Sequence, residues 1–78
     1  MKIKTVQRIY DDNDEECRIG DMVLLKTKDM DDLVQATIEN IMTNVAVFII
    51  DDKALGYVPM KLRVNDIVSL TLHRRRNA

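Results

Sequence analysis

Seventy-eight residues, 46% of them apolar and 32% charged, with a formal net charge of −1, suffice for one domain around one modest core and are too few for two. That balance excludes a disordered or strongly acidic solvating segment. The longest apolar run, Val45 to Ile50, is far below the roughly 20 residues of a membrane-spanning helix. With no charged-then-apolar leader at the amino terminus, the expected location is cytoplasmic and no membrane partner is expected.

Along the chain, Lys2 to Tyr10 sets Ile3, Val6, Ile9 and Tyr10 among basic and polar side chains, a spacing that fits a short helix about as well as a strand, and a strand is expected. Asp11 to Glu16 is an acidic run that reads as a solvated loop. Gly20-Asp21 turns the chain into Met22 to Thr27, expected to be a strand buried on much of both faces. After an acidic turn over Lys28 to Asp32, Val34, Ala36 and Ile38 alternate with Gln35, Thr37 and Glu39 in the period of two that marks a strand. Thr43-Asn44 then separates this stretch from the β-branched run Val45 to Ile50. Asn44 sits where a tight hairpin needs a residue tolerant of positive φ, so the two runs are predicted to pair antiparallel.

Asp51-Asp52-Lys53 makes the next turn and Leu55 to Val58 a short returning strand, which Pro59 is expected to end because it has no N–H to donate. Met60 to Val64 is expected to form a single 3-10 turn leading into a last strand over Ile67 to Leu72. The expectation is thus a mainly β domain of five or six short strands. Residues 1–73 make a single small barrel, and residues 74–78 a basic, frayed carboxy-terminal tail that keeps an edge strand from aggregating.

Tyr10, Phe48 and Tyr57 are the only aromatic residues, so the core must come mainly from Ile, Val, Leu and Met, with Phe48 inside it. Domains this small often gain stability from a staple, a metal or a second subunit, and the single Cys17 cannot form an internal disulfide. Self-association is therefore expected. Tyr57, next to Gly56 and before Pro59, could keep its hydroxyl in water and offer a binding surface.

The sequence holds no catalytic or cofactor-binding set. Cys17 and His73 are the only zinc-type ligands beyond the acids, too few for a structural zinc site, and nothing in the sequence brings them together as nucleophile and base. Asp11, Asp12, Asp14, Glu15 and Glu16 lack the glycine and the terminal bidentate Glu of a calcium loop. Gly20 and Gly56 are the only glycines, which excludes a phosphate-cradling loop. No metal, cofactor or small-molecule substrate is expected, and the chain reads as a non-enzyme.

Charge is segregated along the chain. Residues 1–10 hold three bases and no acid, residues 11–32 nine acids against three bases, and residues 61–78 five bases against one acid. If the first and last strands lie side by side, Lys2, Lys4, Arg8, Arg74, Arg75 and Arg76 gather near one edge, with Lys61 and Arg63 as additions. Such an edge could hold a phosphate backbone with a salt-dependent affinity.

The pattern Ile19-Gly20-Asp21-Met22-Val23 before a buried strand, a long central hairpin, Gly56-Tyr57-Val58-Pro59, a short turn and a final strand is similar to the SH3-like small barrels, which include KOW, Tudor-like and Sm-like domains. The resemblance covers residues 17 to 72 and implies a small barrel with a binding role. Three scattered aromatics depart from the aromatic cage of Tudor-like readers of methylated side chains. Taken together, the sequence points to an interaction module for protein partners, acting as a homo-oligomer. The alternative is a nucleic-acid-binding barrel that uses its basic termini.

Overall fold

The structure, a computed structural model, describes residues 8–75. In chain order it contains β1 (Ile9–Tyr10), β2 (Glu16–Cys17), β3 (Met22–Thr27), β4 (Val34–Met42), β5 (Val45–Asp52), β6 (Gly56–Arg63), a 3-10 turn (Val64–Asp66) and β7 (Ile67–Arg74). β1 pairs with β2, and the other five strands form an antiparallel sheet in the order β6-β5-β4-β3-β7. The fold is mainly β, with seven strands where five or six are expected; the strand without a counterpart in the sequence reading is β2, which joins β1 in a small second sheet. The five-stranded sheet is open: β6 and β7 are its edges and are not paired with each other.

Period-two patterning builds the core. Val23, Leu25 and Thr27 of β3 are buried, whereas Met22, Leu24 and Lys26, on the opposite face, are only half-buried. The second face of β3 is therefore less covered than its composition predicts. Ala36 and Ile38 of β4 and Ala46, Phe48 and Ile50 of β5 point to the same interior, with Phe48 fully buried as expected. Ile9 and Cys17 reach this core from the small sheet and Leu70 from β7. Cys17, for all its polar sequence neighbours, is 1% exposed.

The predicted hairpin is present. Asn44 has φ 62°, and Met42 faces Val45 across the two-residue turn. Three bulges interrupt the ladders: Glu39 is the extra residue between the Ile38–Phe48 and Asn40–Val47 pairs, and Val68 and His73 are extra residues in β7 against β3. Each bulge bends its strand and increases the local twist. Gly20, at φ 96°, makes the turn into β3, and its N–H donates to the Ile38 carbonyl at 2.8 Å.

β6 departs from the sequence expectation. It runs through Pro59 to Arg63 in unbroken register with β5, from Asp52–Gly56 to Val45–Arg63. Pro59 does not end the ladder because its nitrogen lies on the side away from β5, where no ladder bond is due. An edge strand tolerates proline in that orientation. Met60 to Arg63 are consequently strand, and the 3-10 turn begins only at Val64. The strand expected over Lys2 to Tyr10 is seen as Ile9–Tyr10; Arg8 is not part of it, and Lys2 to Gln7 lie outside the described residues.

Candidate functional site

The basic residues singled out in the sequence separate into three groups. Lys2, Lys4 and Arg76 lie outside the described residues. Arg8 and Arg75 do converge, but on acids. Arg8 Nε is 3.5 Å from Glu16 Oε2, and Arg75 Nη2 is 3.4 Å from Glu15 Oε2. Arg75 Nη1 also donates to the Glu16 carbonyl at 3.3 Å and lies 3.8 Å from Asp21 Oδ2. Among the described residues the two ends of the chain therefore meet in a charge-balanced junction. Nor is the start of the carboxy-terminal tail frayed: Arg74 is the last residue of β7, opposite Met22, and Arg75 is held by β2 and its flanks.

Asp12 to Glu15 are exposed, as expected of a solvated loop, but the first residue of the acidic run, Asp11, turns inward. Asp11 is 6% exposed. Its Oδ1 accepts the N–H groups of Asn13 at 2.9 Å and Glu15 at 2.8 Å, and its Oδ2 accepts that of Leu72 at 2.9 Å. The Leu72 bond, then the Glu15 bond, hold the Asp11 carboxyl below the usual carboxylate range. Asp12 continues the contact: its N–H donates to the Leu70 carbonyl at 2.8 Å, and its Oδ2 accepts from Ser69 Oγ at 3.1 Å and the Leu70 N–H at 3.4 Å. The Leu70 N–H and carbonyl and the Leu72 N–H are thereby occupied, and this stretch of the β7 edge is sealed.

The other edge, β6, is bare among the described residues. Because Pro59 turns its nitrogen away from β5, alternation turns the N–H groups of Tyr57, Lys61 and Arg63 the same way, and no hydrogen bond is made to them among the described residues. The side chains of Tyr57, Pro59, Lys61 and Arg63 are exposed in a row on the outer sheet face, while Val58, Met60 and Leu62 point towards the core. Tyr57 is 77% exposed. Among the described residues neither Lys61 nor Arg63 makes an ion pair.

Beside this row on β5 stand Asp51, opposite Tyr57, then Ile49, Val47 and Val45, opposite Pro59, Lys61 and Arg63. These three β-branched residues are half-buried on the outer face. An antiparallel sheet with one face in water normally alternates apolar with polar. β5 does not, and the uninterrupted run Val45 to Ile50 carried that signal in the sequence. The role of Asp11 and Asp12 had no such signal, because a run of acids does not tell which member turns inward.

At the turn between β5 and β6, Asp52 Oδ1 accepts the N–H groups of Ala54 at 2.8 Å and Leu55 at 2.9 Å. The Leu55 bond and then the Ala54 bond lower the carboxyl's pKa. Burial, reinforced by Asp11 and Asp21, pushes the Cys17 thiol up to about 11, so it stays protonated and unreactive in the folded chain. A hollow of about 110 Å³ lies between Ile9, Tyr10, Asp12, Val64, Ile67 and Leu70, below the roughly 300–1,000 Å³ of small-molecule sites. Among the described residues no three His, Cys, Asp or Glu side chains are placed to share a metal ion, and no helix is long and apolar enough to cross a membrane.

Compared with family models, curated proteins and solved structures, the chain matches none.

Proposed function

We propose that this chain is a non-enzymatic protein-interaction module of SH3-like small-barrel type, and that it binds through β6 and the outer face of β5. One observation carries the reading: the sheet has one edge sealed by its own acidic loop and one edge left bare, with outward Val45, Val47, Ile49 and Pro59 beside it. An unpaired strand next to an apolar surface suits strand addition, in which backbone bonds supply affinity and flanking side chains supply selectivity. The barrel type is supported by the strand order, in which β7 returns beside β3, by the turn before β7, and by the three bulges that bend the sheet.

Affinity capture from native cells with the full chain as bait, with and without nuclease, tests this reading. Protein partners that persist after nuclease and are lost with Val47→Glu support it. Capture that disappears with nuclease removes it.

Nucleic-acid binding is the second reading, favoured by Lys61 and Arg63 in one row with exposed Tyr57 and by Arg74, none of the three bases making an ion pair among the described residues. Base stacking on one tyrosine and charge from three side chains would give weak, steeply salt-dependent binding. Titration with single-stranded RNA and with DNA at low salt decides it, since no binding to either discards this reading.

A further inference from the structure

We propose that the β6 edge is filled by β6 of a second copy of this chain, paired antiparallel about a two-fold axis that passes at Met60. This rests on the protein-binding reading above and names the partner. The steps follow from which backbone groups face outward. Tyr57, Pro59, Lys61 and Arg63 turn theirs to the open side, so in any added strand these residues must face one another and not Val58, Met60 or Leu62. Proline then discriminates between registers. An axis at Pro59 sets two carbonyls against each other with no donor between them. An axis at Lys61 sets two lysines face to face, and one at Leu62 sets Lys61 against Arg63. An axis at Val58 leaves much of the strand unmatched.

An axis at Met60 overlaps the whole of Gly56–Arg63. The Lys61 N–H of each copy meets the other's Pro59 carbonyl, and the Arg63 N–H of each meets the other's Tyr57 carbonyl. Proline thus selects this pairing and does not forbid it. Side chains agree on both faces. On the outer face Tyr57 stands opposite Arg63 of the second copy, a cation over an aromatic ring, with Asp51 beside Tyr57 on β5 to complement the same charge. Pro59 stands opposite Lys61, so no like charges oppose. On the inner face the half-buried Val58 faces Leu62, and Met60 faces its own copy, covering apolar surface that each monomer leaves partly in water.

The register can be read by cross-linking. Non-hydrogen-bonded antiparallel pairs hold their Cα atoms about 4.5 Å apart, within disulfide range, so Met60→Cys in the full chain should link two copies on mild oxidation at least about ten times faster than Lys61→Cys. Native Cys17, buried in the core, should not contribute. Arg63→Pro provides the second arm. Arg63 already has φ −74° and ψ 135°, which proline accepts, and its N–H faces away from β5, so the monomer should keep its strand-rich circular dichroism while the dimer, measured by light scattering, dissociates. Cross-linking keeps the test decisive if Arg63→Pro fails to fold.

A strict monomer at all concentrations overturns the proposal, as does a dimer with equal linking at positions 60 and 61. If such a monomer still captures proteins through nuclease treatment, the interaction-module reading stands and only the second copy is ruled out as occupant.

Discussion

β6 and β7 are the two margins of one sheet, and they are finished in opposite ways. On β7 the groups pointing away from the sheet are taken up by Asp11 and Asp12 from the loop between β1 and β2. On β6 the corresponding groups meet nothing among the described residues, and the only local device is Pro59, which removes one donor. Unpaired margins invite pairing with other chains, and proteins usually blunt them. The comparison teaches that a small sheet spends acidic residues on one margin to make it inert, which leaves a single direction in which it can grow.

The largest expected effect comes from unsealing β7. Asp11→Ala removes an acceptor of three backbone N–H groups, and hydrogen bonds to charged acceptors are among the stronger ones. Amide exchange read residue by residue should show Leu72 speeding up at least about ten-fold while β5 changes little. The Cys17 thiol, buried in the native chain, should label faster in step with it. Unchanged exchange at Leu72 would mean that the loop is not the seal.

Acid should do the same reversibly. The Asp11 carboxyl titrates lower in the folded chain than its unfolded value of about 3.9. Its contribution is therefore complete above that value and is lost as pH falls through the lower folded value. Denaturant midpoints measured down through pH 4 should decline less steeply in Asp11→Asn than in the native chain. Asp52 obeys the same sign at the β5–β6 turn, but the β6 backbone itself has no titrating seal to lose.

A smaller effect tests the bare margin. Pro59→Ala restores a donor on the open side and should shift the stability of the monomer by no more than about 0.5 kcal/mol, while higher-order association rises because competing registers regain their bonds. Light scattering against concentration reads this directly. Arg75→Ala should likewise shift the denaturant midpoint little: both members of its pair with Glu15 are half-exposed, and such pairs contribute about 0–1 kcal/mol.

The particular residues show why some features were legible in the sequence and others were not. The β4–β5 hairpin was readable because alternation at Val34, Ala36 and Ile38 and the positive φ of Asn44 are local properties. The 3-10 turn was foreseen but placed too early, since Pro59 was read as a stop. Whether a missing N–H matters depends on which neighbour strand lies on that side, and the sequence does not state that. The inward turn of Asp11 was missed for a related reason. Asp11 sits among polar neighbours, yet it is held inward by a bond to Leu72 of β7, more than fifty residues later in the chain. The basic ends were expected to gather and, for Arg8 and Arg75, they do; their neutralisation by Glu15 and Glu16 required knowing where β2 lies.

The two-sided character of β5 has a consequence for how the chain finds its native alignment. Sliding this strand by one position would exchange Ala46, Phe48 and Ile50 for Val45, Val47 and Ile49, a trade that hydrophobicity alone barely penalises. The choice falls to the strand's two ends, where Asn44 accepts a left-handed backbone and Asp52 locks the following bend with its carboxylate. These two polar residues act as the alignment marks of a strand whose own side chains would fit either way up.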